Sequence, residues 1–258
     1  MSNKRTTRIG AVSYLNTKPL VYGLAERLPQ AEISYDLPSR LADDLAAGRL
    51  DVALIPSIEY LKNRDCMIIS DACIACHGPV LSVKLLSRVP MSRIGSLALD
   101  EGSRTSAVLA RILLKERYQL NPILELLPIG SSVEQTATDA VLVIGDRAIA
   151  PAMSEFVEQW DLGEEWCRWA ARPFVFAMWV ARPGLMLNGV EQALSAARDT
   201  GLAHLPEIAA HEAQFVPLSP PQCLSYLRDN LHFCLGPKER GGLDLFFRHA
   251  NRLELVAT

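Results

Sequence analysis

The run Val52-Ala53-Leu54-Ile55 offers a polar side chain to neither of its faces, and nothing else in the chain constrains the fold as tightly. A strand with one wet face alternates polar and apolar residues, whereas an unbroken apolar run is expected of a parallel strand covered by helices on both sides. The flanking sequence supplies such helices. Arg8–Val12 is a short β-prone run, followed by the Ser13-Tyr14-Leu15-Asn16-Thr17 loop and by Lys18-Pro19, which reads as the first turn of a helix. Glu32–Leu37 alternates as a strand, and Ser39 is placed to cap a helix that carries Leu41, Leu45 and Ala46 and ends at Gly48. Pro56-Ser57 then opens a short helix through Tyr60 and Leu61. Strand and helix alternate throughout this region, which predicts a parallel, helix-covered sheet.

From Met67 to Leu86 the pattern is wholly β and suits a crossing strand. After Pro90 the alternation restarts, with a strand over Ile94–Leu99, a turn over Glu101–Ser106, an amphipathic helix over Ala107–Tyr118, and strands over Ile123–Leu127 and Ala140–Ile144. The extended apolar stretch from Arg172 to Arg182 brings the chain back. Helical spacing follows over Val190–Thr200, Pro206–Ala213 and Pro221–Phe233, with Gly241-Gly242-Leu243 leading into a last helix through Phe246 and Phe247. No sequence repeat links the halves. The expected fold is a two-lobed α/β clamshell, residues 1–86 plus 178–258 against residues 87–177, joined by two extended crossover strands with a ligand cleft between the lobes.

The 258 residues are enough for two modest lobes, and 49% hydrophobic with 21% charged residues is ordinary globular usage. A net charge of -3, with no long basic block, gives no field for holding nucleic acid. Pro19 and polar groups occupy the region where a signal peptide needs an apolar run, and no stretch of ~18 apolar residues follows. The expectation is a cytoplasmic protein with no membrane partner. In that setting the six scattered cysteines read as reduced, buried, small apolar residues. Oligomeric state is left open, a homodimer included.

In doubly wound sheets ligands sit beyond the carboxyl ends of the strands, where loops feed helix N-termini with unpaired N–H groups. Here those loops are Ser13-Tyr14-Leu15-Asn16-Thr17, Pro56-Ser57, Gly102-Ser103-Arg104-Thr105-Ser106 and Gly145-Asp146-Arg147. Each presents hydroxyls, an amide or a guanidinium beside a helix start, which suits a carboxylate or phosphate held without metal or cofactor. The same Ser and Thr hydroxyls serve equally well as helix caps. Asn16 is the least replaceable by a cap, because its amide both donates and accepts. Ser82 is a polar interruption between Leu81 and Val83, open to reading as a site group or as a satisfied buried hydroxyl.

Cys73-Ile74-Ala75-Cys76-His77 matches the c-type haem attachment pattern in letters, but residues three apart on an extended segment point to opposite faces, so the two sulfurs diverge. His77-Gly78-Pro79 reads as a turn. The chain has no GxGxxG, P-loop or HExxH pattern, nor a nucleophile elbow, that would announce a nucleotide, metal or acyl-transfer site. Trp160, Trp166 and Trp169 read as core, and Trp179 as a wall of the cleft.

Gly10-Ala11-Val12-Ser13-Tyr14-Leu15-Asn16-Thr17-Lys18-Pro19-Leu20 followed by Asp51-Val52-Ala53-Leu54-Ile55-Pro56-Ser57-Ile58-Glu59-Tyr60 resembles the chorismate dehydratase family of the futalosine route to menaquinone. Gly78–Val83, Ser103-Arg104-Thr105-Ser106, Asp161-Leu162-Gly163 with Trp166, and Pro173–Ala177 with Trp179 extend the resemblance through most of the chain. Arg172, and the cysteine-rich approach to the crossing strand, depart from it. The resemblance implies the fold of type II periplasmic binding proteins turned to catalysis, with loss of water from chorismate to give 3-[(1-carboxyvinyl)oxy]benzoate. It also implies a division of labour: Asn16 and Ser82 position the reacting groups, the substrate's own enolpyruvyl carboxylate takes the ring proton, and hydroxyls at Ser57, Ser103, Thr105 and Ser106 hold carboxylates. Ser13, Tyr14, Thr17, Arg104, Gly145, Asp146 and Trp179 complete the expected substrate-binding set. Two other readings stay open on sequence: a sister enzyme of the dihydroxynaphthoate synthase type, and a non-catalytic binding or sensor protein for a small carboxylate.

Overall fold

The computed structural model describes residues 6–63, 65–149, 155–185, 187 and 189–256. Its strands are β1 (Thr7–Val12), β2 (Ala31–Asp36), β3 (Val52–Pro56), β4 (Met67–Cys76), β5 (Val83–Ser87), β6 (Ser96–Asp100), β7 (Ile123–Leu127), β8 (Ala140–Ile144), β9 (Glu158–Asp161), β10 (Phe174–Ala181) and β11 (His232–Cys234). Among the described residues they form two mixed sheets, ordered β11-β4-β10-β3-β1-β2 and β7-β6-β8-β5-β9. The parallel core expected at Val52 is present: β3 is buried at every position and runs parallel to β1, itself parallel to β2. β10 is buried at all eight of its residues and lies antiparallel between β3 and β4. The chain therefore leaves the first sheet after β4, builds the second, and returns to the middle of the first.

Several expected elements differ in detail. Residues 67–86 are two strands in different sheets, and Ser82 lies in the break between them. The first helix begins at Leu15 as a tight 3-10 turn with Pro19 inside it, opened by the three-residue hydrogen bond from Thr17 N–H to Tyr14 C=O two positions ahead of the proline. Ser39 sits buried within a helix that opens at Pro38 and does not cap it. The expected 221–233 helix is an α-helix over Pro220–Ser225, a π-turn over Tyr226–Asn230 and then β11. The last helix starts at Pro237 and takes Gly241 and Gly242 into its interior. Gly242 belongs there because a Cβ at that position would stand 2.1 Å from the carbonyl oxygen of Pro173, so the helix can approach β10 only through a glycine.

Asp51, at the entry to β3, fastens three neighbouring interior strands of the first sheet together, β1, β3 and the end of β10. It accepts hydrogen bonds from the backbone N–H of Arg8 at 3.0 Å, from Arg8 Nη2 at 3.0 Å and from Arg182 Nη2 at 2.8 Å. Burial alone would raise its carboxyl, but the hydrogen bonds from Arg8 and Arg182 outweigh that and hold it well below the usual carboxylate range. The resulting stability is present above the ordinary Asp value of about 4 and drains away as pH falls below it. Asp51→Asn is expected to cost about 3 kcal/mol at neutral pH. Urea unfolding at pH 7 and pH 3 should show the variant losing less between those conditions than the native chain, and equal losses would refute the assignment.

Candidate active site in the interlobe cleft

The cleft is made where the chain crosses between sheets. After β4 the backbone turns at Gly78-Pro79, and Leu81 adopts φ +60°, with the Ser82 N–H donating to Val80 C=O at 2.7 Å. That is a γ-type turn in a backbone region that L-residues seldom occupy, a strained arrangement of the kind that persists only when its surroundings impose it. Asp161 imposes it. Its carboxylate accepts from Val80 N–H at 2.9 Å and Leu81 N–H at 2.6 Å, and also caps the Leu162–Ala170 helix through Glu164 N–H at 3.0 Å. Burial pushes this carboxyl up, and four backbone N–H groups work against the rise. The Ser82 carbonyl accepts from Gly145 N–H at 3.0 Å, so the residue is fixed from both sides. Among the described residues its hydroxyl makes a long 3.4 Å contact with Val80 C=O and has Tyr226 behind it without a well-formed bond, which leaves it available to a ligand.

Ser82 lines a cleft together with Tyr14 and Asn16 from the β1 loop and Gly145 from the end of β8. Gly145 has φ +74°, and a Cβ there would stand 2.8 Å from the Tyr14 ring, so the two loops can meet only because this position lacks a side chain. Burial pushes the Tyr14 phenol up, which keeps it a donor. Ile74, Val80, Val83, Ile144 and Phe176 give the cleft an apolar lining around these polar groups.

The opposite wall is the start of the Arg104–Tyr118 helix, which contributes Ser103, Arg104, Thr105 and Ser106. Ser103 stands at the N-cap position yet makes no capping hydrogen bond through its side chain, which leaves first-turn N–H groups facing the cleft for an anion. Arg104 is engaged by Asp43 at 2.8 Å and by Glu59 at 3.3 Å, so its charge is largely spent on protein carboxylates. Thr105 ties the lobes together: its Oγ1 accepts from Ile58 N–H at 3.2 Å and lies 3.4 Å from Ser57 Oγ. Among the described residues the hydroxyls of Ser103 and Ser106, both in the cleft lining, have no side-chain hydrogen bond of regular geometry and can meet a carboxylate.

The other expected site residues lie elsewhere. Ser13 is exposed and outside the cleft lining. Thr17 is buried and donates to Asn16 Oδ1 at 3.4 Å, which orients the amide rather than touching a ligand. Ser57 is buried and donates to Val175 C=O at 2.8 Å. Asp146 accepts from Leu15 N–H at 3.1 Å, filling the N-terminus of the 3-10 helix from across the cleft, and burial raises its carboxyl. Trp179 is fully buried in β10, where its ring packs in the core, so it is not a cleft wall. Sequence reasoning missed Pro38 and Phe176 in the lining, since neither carries a polar signal, and it missed Asp161 as the anchor of Ser82 because that contact spans about eighty residues.

Outside the cleft, His77, His232 and Glu239 come together. His77 Nε2 lies 2.7 Å from Glu239 Oε1, while Glu239 Oε2 accepts from Gly236 N–H at 3.0 Å. The two imidazoles stack at 4.2 Å, and the Nε2 of His232 also approaches Glu239 Oε1, at 3.7 Å. The cluster is a hydrogen-bonded clasp between the end of β4 and the last helix. Cys76 lies by Cys167 and Cys73 near Cys234, so the two sulfurs of the Cys-x-x-Cys pair do diverge, and all six cysteines are free thiols.

Two α/β sheets around a cleft edged by an uncapped helix start define the periplasmic-binding-protein class of small-ligand fold. Solved structures agree: a protein of Archaeoglobus fulgidus superposes with a TM-score of 0.80 over 98% of this chain and 100% of its own, at 14% identity. The periplasmic aliphatic sulphonate binding protein of Escherichia coli superposes with a TM-score of 0.65 over 99% of this chain and 95% of its own, at 16% identity. The chain belongs to the menaquinone biosynthesis family, whose model matches residues 7–252. A chorismate dehydratase of Thermus thermophilus is 32% identical over 92% of this chain and 93% of that protein.

Gly145→Ala must either shed its φ of +74° or push the Tyr14 ring aside. We expect a loss of about 1–2 kcal/mol in stability and a ligand affinity at least about tenfold weaker, read by thermal melts and by titration calorimetry with chorismate. Native affinity would show that the Tyr14 contact is not part of the site.

Proposed function

We propose that this chain is a chorismate dehydratase, a carbon-oxygen hydro-lyase that removes water from chorismate to give 3-[(1-carboxyvinyl)oxy]benzoate in the futalosine route to menaquinone, in the cytoplasm. The observation that carries the reading is the near full-length likeness to a chorismate dehydratase. It is supported by a cleft that gathers Asn16 and Ser82 opposite an uncapped helix start. Neither rival reading has an observation of its own in its favour.

The reaction asks little of the protein. Chorismate bears a proton on C3, next to the enolpyruvyl ether, and a hydroxyl on C4; loss of both makes the ring aromatic. As the C3–H bond breaks, its electron pair forms the new ring double bond and the C4–O bond releases hydroxide, which takes up the proton removed from C3 and departs as water. The protein's tasks are to hold a dianion, exclude solvent and orient the groups. First-turn N–H groups of the Arg104–Tyr118 helix, with Ser103 and Ser106, receive a carboxylate, and the apolar lining keeps the ring dry. Asn16 and Ser82 direct the leaving hydroxyl. The enolpyruvyl carboxylate of the substrate takes the C3 proton, and no cofactor or metal enters the scheme. In this reading the lobes are those built on the two sheets, the sequence-based boundaries at 86/87 and 177/178 shifting to the breaks before β5 and before β10, and they close over the substrate.

Purified protein incubated with chorismate alone should release the enolpyruvyl benzoate, followed by chromatography. Asn16→Ala and Ser82→Ala are each expected to lower kcat by about 100-fold. Tight binding without turnover would indicate a receptor, and indifference to chorismate a sister enzyme. Full activity in both variants would dismiss the assignment of these two side chains.

A further inference from the structure

Behind Asn16 and Ser82 stands Tyr226, a residue of the C-terminal region that shows only helical spacing in the sequence. Its side chain is 1% exposed, and its hydroxyl is fully buried without a hydrogen bond of regular geometry among the described residues. It nevertheless lies against both Ser82 and Asn16, close enough to interact with each, while burial drives its phenol upward and keeps it protonated. Folded chains rarely leave a buried donor unsatisfied, and where they do the group merits an explanation. The backbone that presents it is equally uncommon. Tyr226 opens the π-turn over Tyr226–Asn230, and turns of this type inside helices are frequent at functional sites. The segment beyond is pinned by Asn230 Nδ2, which donates to Pro79 C=O at 3.0 Å. Tyr226 is thereby held to the same crossing turn that carries Ser82.

We propose that Tyr226 is a positioning residue of the dehydratase site, whose hydroxyl sets the orientation of the Ser82 hydroxyl and the Asn16 amide toward the leaving group. The inference rests on the chorismate dehydratase reading. Tyr226 lies behind the cleft lining, so it acts through those two side chains and does not touch the substrate. In the ligand-free protein its hydroxyl contributes little to stability, since it has no well-formed bond to lose. Its value arises only when substrate orders Asn16 and Ser82 and the three polar groups become a connected network. The ring itself is a core element, and Tyr226→Phe keeps it in place while deleting the hydroxyl alone.

The test is Tyr226→Phe in the full chain, assayed with chorismate beside the native protein and beside Ser82→Ala. A positioning role predicts a melting temperature equal to or above the native value, a kcat lower by about tenfold or more, and a KM within about twofold. It also predicts that adding Tyr226→Phe to Ser82→Ala costs much less than the same change costs the native chain, because the residue acts through Ser82. A purely structural hydroxyl predicts the reverse, a lower melting temperature with unchanged kcat, and that result overturns the proposal, as do fully additive losses in the double variant. If the native protein converts chorismate and Tyr226→Phe matches it, the positioning claim alone fails. If the native protein leaves chorismate untouched, the functional reading fails and the claim falls with it.

Discussion

The insertion of β10 between β3 and β4 is the constraint on which the rest of the molecule depends. A fully buried strand of eight residues, Phe174–Ala181, must find the centre of a sheet whose other members are far away in sequence. Burying such a strand is strongly favourable at roughly 25 cal/mol per Å² of apolar surface. Its return closes the first sheet only after the second has been built, so the chain crosses twice between sheets at neighbouring places. Those crossings are where the cleft forms. Val175 C=O in β10 takes the Ser57 hydroxyl, and Phe176 faces the cleft, so the return strand also shapes the pocket floor.

Around that floor the polar groups separate into those the fold uses and those it leaves over. Thr105 and Asp146 take the backbone N–H groups of Ile58 and Leu15 across the gap and Arg104 takes the Asp43 and Glu59 carboxylates, drawing the two sheets' loops together, while Ser57 is satisfied by Val175 C=O within the first sheet. Ser82, Ser106 and the first-turn N–H groups of the Arg104–Tyr118 helix have partners that are weak or absent within the described residues, and they face the same space. An anion entering there meets donors already oriented, with an apolar lining that strengthens each contact. The strained turn at Leu81 is the local cost of aiming Ser82, and it is held by the Asp161 carboxylate on two successive N–H groups.

Much of this was legible in the sequence where the signal is local. The Val52 run marks a strand covered on both faces, the Arg8–Val12 run its parallel neighbour, and the amphipathic stretch to Tyr118 a helix; each is an apolar pattern within a dozen residues. The loops Ser13–Thr17, Gly102–Ser106 and Gly145-Asp146 are readable as ligand-side loops because strand and helix assignments around them fix which end of the sheet they occupy. The roles within those loops were not readable. Ser57 and Ser106 are both hydroxyls beside helix starts, and it is the Val175 carbonyl brought alongside by β10 that makes Ser57 the tethered one. Trp179 looks like a wall by composition, but the direction of a side chain on a strand covered on both faces cannot be told from an apolar run, and it points into the core.

The sequence by itself determined the α/β class, the restart that makes two sheets, the anion-suited loops and the family likeness, since all of these rest on short-range periodicity or contiguous motifs. Tertiary structure alone decided that 67–86 breaks into two strands in different sheets, that Asp161 holds the turn before Ser82, and that Tyr226 stands behind Asn16. The reason is physical: these contacts join residues sixty to two hundred positions apart, and their geometry is set by how the sheets pack around the returning β10, which no local pattern of side chains encodes.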